Sequence, residues 1–285
     1  MRGVDLHTHS NCSDGTFTVR ELMDYAHTKD LAAIALTDHD TVKGLNEAVS
    51  YAADKYPDME VVPGVEVSTV NEGKDCHIVG LYIDRNDQTF IKRLNDLLDV
   101  RTNRNLEIME RLQTIAGFSF TYDDVLKEYP GAVVTRAHFA RYLAEKGYVG
   151  SRQEAFDKYI GDGKPCFVPP HKIGPETGIQ YILDAGGIPI YAHPVLSGMG
   201  DEKLDRFVAR LKDAGLMGIE AIYSTYELRD ERHIKELAKK YDLLISGGSD
   251  FHGKNKPDID LGCGRGKLFI PEDVLDKIKA ARLTD

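Results

Sequence analysis

The chain has 285 residues, which is enough for two domains or for one large α/β domain with an insertion. Hydrophobic residues make up 42% and charged residues 29%, a composition that excludes a disordered or fibrous protein. The formal net charge of −10 argues against an extended basic face that would bind duplex nucleic acid, but it leaves room for a small phosphorylated substrate.

Membrane and disulfide proteins are also disfavoured. No stretch approaches the roughly 18 consecutive apolar residues of a membrane span, and the charge of Asp5 comes too early for a secretory signal. We therefore expect a cytoplasmic protein without a membrane partner. The widely spaced Cys12, Cys76, Cys166 and Cys263 form no C-x-x-C pair, so we expect reduced thiols.

Short apolar runs alternate with amphipathic stretches, the pattern of β/α units around a mostly parallel sheet. The apolar runs predict strands at 4–9, 32–37, 60–70, 77–83, 188–192, 218–223 and 243–246. The amphipathic stretches predict helices near 19–28, 45–55, 175–185, 201–214, 226–240 and 271–281.

Two breaks interrupt this rhythm. Residues 71–74 predict a hairpin turn between two strands where a helical crossover would be regular. Residues 87–117 and 133–159 predict helices with no strand among them. We therefore predict an α/β fold in which a distorted (β/α)7 barrel, residues 1–99 and 176–285, carries a helical insertion (cap) domain at 100–175.

Metal-ligand residue types gather at the ends of the predicted strands. In a strand, His7 and His9 project to the same face and could reach one ion. Other strand borders carry Thr37-Asp38-His39-Asp40, Gly64-Val65-Glu66, His77, Ala192-His193-Pro194 and Gly248-Ser249-Asp250-Phe251-His252. The carboxyl ends of barrel strands converge on one mouth. The pattern thus predicts one site built from His7, His9, Asp14, His39, Glu66, His77, His193, Asp250 and His252.

Nine ligands are too many for one ion and suit two or three. Imidazole and carboxylate ligands without thiolate favour Mn²⁺, Zn²⁺ or Fe²⁺ over Mg²⁺ or Ca²⁺. Three divalent ions would bring +6 against −3 from Asp14, Glu66 and Asp250, which leaves about +3. That charge could hold a doubly charged phosphate and an attacking hydroxide, so the site predicts phosphoester hydrolysis.

These motifs together resemble the PHP (polymerase and histidinol phosphatase) superfamily, over residues 1–100 and 185–285. The resemblance implies a distorted seven-stranded barrel of PHP type that holds three metals. It assigns the first metal to His7, His9, Glu66 and Asp250, and the second to Glu66, His77 and His193. The third would take Asp14, His39 and His252, although some members have a histidine where Asp14 stands.

The insertion resembles the cap of the nucleoside-3′,5′-bisphosphate phosphatase branch in Thr135-Arg136-Ala137-His138 and Gly163-Lys164-Pro165. Thr135 and Ala137 depart from the usual Gly-Arg-Pro-His. Arg136 and His138 are expected to bind the phosphate, with a surface ion pair as the alternative. The candidate substrate contacts Arg101, Arg104 and Asn105 share one helix face, which could instead simply be solvated.

Two carboxylates beside His39 have open roles. Asp38 or Asp40 could orient an imidazole, and Asp40 could equally cap the next helix.

We predict a metal-dependent phosphomonoester hydrolase that converts a nucleoside 3′,5′-bisphosphate into nucleoside 5′-monophosphate and phosphate. Glu66, Asp250, Arg136 and His138 are the candidate catalytic residues. Three alternatives stay open: a histidinol-phosphate phosphatase, a 5′→3′ exonuclease on short oligonucleotides, and a non-catalytic nucleotide-binding module. The oligomeric state is not predicted by the sequence.

Overall fold

The computed structural model describes residues 2–169 and 173–282. Its centre is a seven-stranded sheet in which the strands follow one another in chain order. The strands are β1 (Gly3–Thr8), β2 (Leu31–Leu36), β3 (Glu60–Asn71), β4 (Lys74–Leu81), β5 (Ile188–Tyr191), β6 (Gly218–Tyr223) and β7 (Leu244–Gly248). Each lies within three residues of its predicted bounds.

The sheet curls into a nearly closed barrel. Beyond β7, the Asp250 N–H donates to the carbonyl oxygen of His7 at 2.8 Å, and Thr8 pairs in parallel with Phe251. All neighbouring strands are parallel except that β4 runs antiparallel to both β3 and β5. The predicted distorted α/β barrel is therefore confirmed, with the irregularity at the expected hairpin.

The reversal at β4 has a local cause. Asn71 pairs with Lys74, so that only Glu72 and Gly73 form the turn. Their φ angles are 50° and 79°, and two positive φ values are what a tight two-residue hairpin turn demands. This turn replaces a helical crossover and sends the chain straight back along β3.

Helices surround the barrel and form the insertion. They are α1 (Val19–Thr28), α2 (Leu45–Lys55), α3 (Gln88–Thr114), α4 (Tyr122–Glu128), α5 (Arg136–Glu145), α6 (Arg152–Ala155), a π-helical turn (Phe156–Ile160), α7 (Pro175–Asp184), α8 (Asp201–Asp213), α9 (Leu228–Lys240) and α10 (Glu272–Arg282). The predicted helices do not include α4, whose start is nevertheless marked by the capping box of Thr121 and Asp124.

The two faces of the sheet bury different clusters. Ile34, Val65 and Ile219 belong to the cluster that includes the outer helices. Val79 and Ile222 belong to a second cluster on the other face, which includes α10. Alternation along a strand places Glu66 and His77 on this second face, because they alternate with Val65 and Ile78.

The insertion has its own hydrophobic cluster, formed by residues between Ile108 and Val168. Its first helix, α3, is a single helix of 27 residues that continues through position 100. The expected boundary at residue 100 thus falls inside a helix, and the division into barrel and cap domains stays a prediction.

Two other expectations concern the whole chain. None of the described helices is long and apolar enough to cross a membrane. Cys12, Cys76, Cys166 and Cys263 are all free, as predicted.

Candidate metal centre

The structure brings all nine predicted ligands together at the mouth of the barrel. The donor atoms form four overlapping groups, and within each group they lie within 4.8 Å of one another. These groups are His7–His9–Asp250, His7–Glu66–His193, His39–Glu66–His77 and His9–Asp14–His39–His252. Convergence of strand ends explains the assembly, since the ligands come from β1, β3, β4 and from the loops after β1, β2, β5 and β7.

Glu66 lies at the centre of the site. Its Oε2 lies 3.2 Å from Nε2 of both His7 and His9, and 3.3 Å from His39 Nδ1. Its Oε1 lies 2.7 Å from His77 Nδ1 and 3.0 Å from His193 Nε2. One carboxylate thus faces five imidazoles, three through Oε2 and two through Oε1, and it could be shared by more than one ion.

The position of His77 follows from the hairpin register. Ser68 is directly opposite His77, and Val79 is opposite Glu66. Glu66 and His77 are therefore diagonal neighbours on one face, close enough for long side chains to meet.

A third group forms around Asp14. Its Oδ1 lies 3.1 Å from His252 Nε2, and its Oδ2 lies 3.8 Å from His39 Nε2. Asp14 lies in the loop after β1, only five residues after His9, so a single loop links this group to the first one.

Special backbone geometry supports the ligands. His193 and Asp250 have φ values of 30° and 57°, in the left-handed region that non-glycine residues rarely occupy. Gly248 is required by close packing, because a Cβ there would lie 2.2 Å from the Cβ of His7. The approach of β7 to β1 at this glycine lets Asp250 reach the two histidines of β1.

The donor chemistry fits divalent metal ions. His7 Nε2, His9 Nε2 and His39 Nδ1 are buried and form no hydrogen bond of normal geometry in the described part of the chain, although each lies 3.2–3.3 Å from Glu66 Oε2. Burial by itself would raise the pKa of Glu66, but the nearby imidazoles of His39 and His77 hold it well below its usual range. Buried imidazole nitrogens that surround an ionised carboxylate without forming a normal hydrogen bond to it are the ligands that a cation needs.

Glu220, in β6, is a buried carboxylate that the sequence analysis missed. Its Oε1 lies 3.1 Å from His7 Nδ1, and its Oε2 accepts the His193 N–H at 2.7 Å. This contact places the proton of His7 on Nδ1 and leaves Nε2 free for a metal. The sequence contains a signal for Glu220, because a charged residue inside the apolar run of β6 is buried and therefore needs a polar partner.

Asp250 is held by two further residues that the sequence analysis did not single out. Tyr223 donates its hydroxyl to Oδ2 at 2.6 Å, and Lys256 forms an ion pair with the same oxygen. Oδ1 is left to face His9 Nε2 at 3.4 Å and His7 Nε2 at 3.7 Å. Contacts with Tyr223 and Lys256 therefore fix Oδ2 of Asp250, whereas Oδ1 faces the two histidines.

The two carboxylates beside His39 also have defined partners. Asp38 accepts hydrogen bonds from the Ser10 N–H at 2.8 Å and from the Ser13 hydroxyl at 2.6 Å, so it orders the loop that carries Asp14. Asp40 accepts the Ser68 N–H at 2.7 Å and is not a helix cap, because Gly44 precedes α2.

The candidate substrate contacts on α3 lie inside the protein and not on a solvated helix face. Arg104 and Asn105 are 8% and 1% exposed. Arg101 binds Asp40 and the Ser68 hydroxyl, Arg104 donates to the Val168 carbonyl, and Asn105 donates to the Val134 carbonyl. Each residue still has a buried polar atom without a partner among the described residues: Arg101 Nε, Arg104 Nη2 and Asn105 Oδ1.

Arg136 and His138 lie in the first turn of α5. The Arg136 guanidinium forms ion pairs with Asp162 at 2.7 Å and Asp75 at 3.4 Å. His138 is buried, and burial lowers its pKa to about 4. The Thr135 N–H donates to His138 Nδ1 at 3.0 Å, so the neutral ring has its proton on Nε2.

Fold and site together define a metal-dependent phosphoesterase, and comparisons with known proteins identify its family. The profile of the PHP domain matches residues 5–158, which is more than half of the chain. The chain therefore belongs to the PHP family.

Its relatives act on phosphoesters. A 5′-3′ exoribonuclease of Haemophilus influenzae is 38% identical over 90% of this chain and 95% of its own length. A 3′,5′-nucleoside bisphosphate phosphatase of Chromobacterium violaceum is 34% identical over 92% of this chain and 91% of its own. The chain is accordingly a phosphoester hydrolase, and the non-catalytic alternative is wrong.

The same fold occurs in a solved structure. The crystal structure of a candidate metal-dependent phosphoesterase from Bifidobacterium adolescentis has a TM-score of 0.84 and 29% sequence identity. It covers 99% of this chain, and the match extends over 96% of that chain. The similarity therefore includes both the barrel and the helical insertion.

Proposed function

We propose that this phosphoesterase removes the 3′-phosphate from a nucleoside 3′,5′-bisphosphate and releases nucleoside 5′-monophosphate and phosphate. The centre would hold two or three divalent ions, Mn²⁺, Zn²⁺ or Fe²⁺, on the nine ligands described above. The 3′-phosphate would bind at these ions, and the 5′-phosphate would bind at the cap helix α3.

The observation that carries the proposal is the cluster of arginines beside the metal centre. Arg101 and Arg104 each keep a buried guanidinium nitrogen without a partner in the described residues. Burial and the nearby charges of Arg136 and Arg101 lower the pKa of Arg104 to about 10. Unsatisfied cationic donors that repel one another are stabilised by an anion with several oxygens, and phosphate is such an anion.

Hydrogen-bonded residues connect the arginines of α3 to the metal centre. Arg101 contacts Asp40 and Ser68, which follow His39 and Glu66 by one and two residues. A substrate with two phosphates could therefore reach both the arginines and the metal centre. Histidinol phosphate has one phosphate and would leave the arginines unsatisfied.

The residues of the chain have distinct tasks in this reaction. Glu66, Asp250 and Asp14 are ionised ligands, and Glu220 and Tyr223 fix the geometry around two of them. Divalent ions held by these residues would supply positive charge to the phosphoryl oxygens and would lower the pKa of water enough for it to attack at neutral pH. No side-chain nucleophile is needed.

His138 serves as a neutral hydrogen-bond donor in the proposal. With a pKa of about 4 the His138 ring is neutral at neutral pH, so it has no acidic proton to transfer to the leaving group. Its Nε2–H can still donate a hydrogen bond to a phosphate oxygen. Arg136 would support the phosphate by its charge, in exchange for part of its contact with Asp75 and Asp162.

A second candidate function is 5′→3′ hydrolysis of short oligonucleotides, favoured by the exoribonuclease relative at 38% identity. Both reactions break the bond between phosphorus and the 3′ oxygen of the first nucleotide. In the bisphosphate the 3′-phosphate is terminal, whereas in an oligonucleotide it is also esterified to the next nucleotide.

The deciding experiment measures inorganic phosphate and nucleoside 5′-monophosphate released by metal-stripped protein reloaded with Mn²⁺. Adenosine 3′,5′-bisphosphate is compared with AMP, histidinol phosphate and a short 5′-phosphorylated RNA. We expect rapid release from the bisphosphate and none from AMP. Preference for histidinol phosphate, or no activity on the bisphosphate, would refute the proposal.

Replacement of Glu66 or Asp250 by alanine is expected to abolish turnover while the fold is retained. Each change removes a charge that several imidazoles share, so we expect kcat to fall at least about a hundredfold, with reduced metal content. Asp258→Asn, an exposed change in the same loop region as Asp250, is the control. Wild-type rates in the metal-loaded alanine variants would contradict the assignment.

A further inference from the structure

Lys256 brings a cation into contact with the metal centre. It follows the ligand His252 by four residues, and its ammonium group forms an ion pair with Oδ2 of the ligand Asp250. Among the residues that the structure describes, no other lysine or arginine lies within ion-pair distance of the three ligand carboxylates. The side chain that contacts Asp250 therefore has the same sign of charge as the ion that Asp250 would bind.

A short, packed loop holds Lys256 in this position. Gly253–Asn255 form one turn of 3-10 helix, and the Lys256 N–H donates to the Gly253 carbonyl oxygen at 3.1 Å. Asn255 donates its side-chain N–H to the Asp14 carbonyl oxygen at 2.6 Å. Gly253 has a φ of 60°, and a Cβ there would lie 2.2 Å from Thr16 Oγ1. These contacts fix the backbone of Lys256 beside the group that forms around Asp14.

The charge of Lys256 acts on all three ligand carboxylates. Burial would lower the pKa of Lys256, but the carboxylates of Asp250, Asp14 and Glu66 raise it above its usual value. Burial lowers the pKa of His252, and the charge of Lys256 lowers it further. The ammonium group therefore stays protonated and offsets one of the three negative charges that the carboxylates bring to the centre.

The ion pair is not needed to orient Asp250. The Tyr223 hydroxyl donates to the same Oδ2 at 2.6 Å, and the Asp250 N–H donates to the His7 carbonyl oxygen at 2.8 Å. Tyr223 is 4% exposed and belongs to β6, so its contact does not depend on the loop that carries Lys256. The contribution that Lys256 adds to these contacts is its charge.

The lysine side chain has room to leave the carboxylate. It is 36% exposed, whereas the side chain of Asp250 is 5% exposed. The next two residues, Pro257 and Asp258, are exposed as well. An ammonium group at the end of a flexible four-carbon chain can therefore turn from Asp250 to solvent while the backbone of the loop keeps its contacts.

We propose that Lys256 competes with a divalent ion for Asp250 and thereby lowers the affinity of the group His7–His9–Asp250 for metal. A divalent ion and an ammonium group on one carboxylate repel each other, so the ion either displaces the lysine or binds against this repulsion. The inference rests on the proposed function only in that the nine ligands hold divalent ions, and the substrate does not enter it. Because Lys256 acts through Asp250, the test measures metal binding and not turnover.

Titration calorimetry with Mn²⁺ compares metal-stripped wild type with Lys256→Met, which keeps the apolar chain and loses the charge. We expect the dissociation constant of at least one bound ion to fall at least about tenfold, because a repulsive charge is removed. Lys256→Arg retains the charge and is expected to stay within about threefold of the wild type.

Thermal unfolding gives a second readout that a purely structural role of Lys256 would not produce. In EDTA, Lys256→Met should melt at least about 2 °C below the wild type, because three carboxylates lose a nearby cation. With excess Mn²⁺ the difference should vanish or change sign, since the ions then balance the carboxylates and no ammonium group opposes them. A packing defect would instead lower both melting temperatures by the same amount.

The matched control is Lys254→Met, which removes the same charge from the same loop. Lys254 is exposed, and its charge reaches Glu21 near the start of α1. In the described part of the chain, no ion pair joins it to a ligand carboxylate. Its affinity for Mn²⁺ is expected to stay within about twofold of the wild type.

The outcomes separate this inference from the proposed function. Tighter Mn²⁺ binding by Lys256→Met, with Lys254→Met unchanged, supports the competition. Unchanged binding by Lys256→Met overturns it, and so does weaker binding, which would show that Lys256 positions Asp250 for the ion. If the wild type binds no Mn²⁺, the proposed function fails and the inference fails with it.

Discussion

At the scale of single residues, the metal centre depends on carboxylates that are not themselves ligands. Glu220 accepts hydrogen bonds from His7 and from the backbone of His193, two residues that lie in one ligand group with Glu66. Asp38 orders the serines of the loop that carries Asp14. These contacts fix the direction in which the ligand atoms point before any ion arrives.

Glu220→Gln is expected to weaken metal binding. Both carboxylate oxygens of Glu220 accept hydrogen bonds, whereas the glutamine amide has one acceptor and one donor, so one of the two contacts is lost. We expect the affinity for Mn²⁺ to fall about 10- to 100-fold. Titration calorimetry measures the affinity, and circular dichroism tests that the fold is retained.

The matched control is Glu236→Gln in α9, which changes the same charge outside the metal centre. An unchanged affinity for Mn²⁺ in Glu220→Gln would show that Glu220 does not position His7.

His138 predicts a pH dependence of stability. Its pKa falls from 6.5 to about 4 on burial, so between these values the unfolded chain binds a proton that the folded chain does not. Its contribution is complete above about pH 6.5 and is lost as the pH falls towards 4, by up to about 3 kcal/mol. Denaturant unfolding in EDTA at pH 7 and pH 4.5 measures the loss.

His138→Gln isolates this contribution, because glutamine can still accept the Thr135 N–H but does not titrate. The variant is expected to lose less stability than the wild type over the same pH interval. An identical loss in both proteins would show that His138 is charged in the folded state.

At the scale of elements, the decisive contact joins the last strand to the first. Gly248 lets β7 approach β1 so closely that the Asp250 N–H bonds to the His7 carbonyl. This contact closes the barrel and also completes the first ligand group. Closure of the fold and assembly of the site therefore depend on one glycine.

Gly248→Ala is expected to separate β1 from β7. The new Cβ would lie 2.2 Å from the Cβ of His7 and 2.7 Å from its nitrogen, so backbone must move. We expect a loss of at least about 2 kcal/mol in the free energy of unfolding, together with loss of bound metal. Denaturant unfolding and metal analysis measure the two effects.

Gly200→Ala is the control, since its φ is −68° and no heavy atom lies within 4 Å of the added Cβ. Comparable stability of Gly248→Ala and Gly200→Ala would contradict the closure argument.

Elements were predictable where the local signal was strong. The bounds of α1 and α2 match their predictions, and the hairpin after β3 was visible in four residues. The helix α4 was missed because seven residues carry too little periodicity, although Thr121 and Asp124 form its capping box. The site residues were found through their positions at strand ends, and Glu220 was not found because it lies within a strand.

At the scale of the whole molecule, metal binding is expected to stabilise the fold. Free Mn²⁺ at 100 times its dissociation constant adds about 2.7 kcal/mol for each site. In domains of comparable size, 1 kcal/mol corresponds to roughly 2–4 °C, so the melting temperature should rise by at least about 5 °C. Differential scanning calorimetry with EDTA and with Mn²⁺ measures the shift.

Two comparisons test the cause of this shift. Mg²⁺ should give a smaller shift, because imidazole nitrogens suit it poorly. Glu66→Ala should lose most of the Mn²⁺ shift. Equal shifts in wild type and Glu66→Ala would place the stabilising ion outside the predicted centre.

The sequence by itself determined the order of strands, the reversal at β4 and the identity of the nine candidate ligands. These features depend on periodicity, turn chemistry and residue type, all of which are local. Only the tertiary structure decided that Glu66 faces five imidazoles and that Glu220 orients His7. Such contacts join residues far apart in the chain, and their distances are set by barrel closure, which no local pattern encodes.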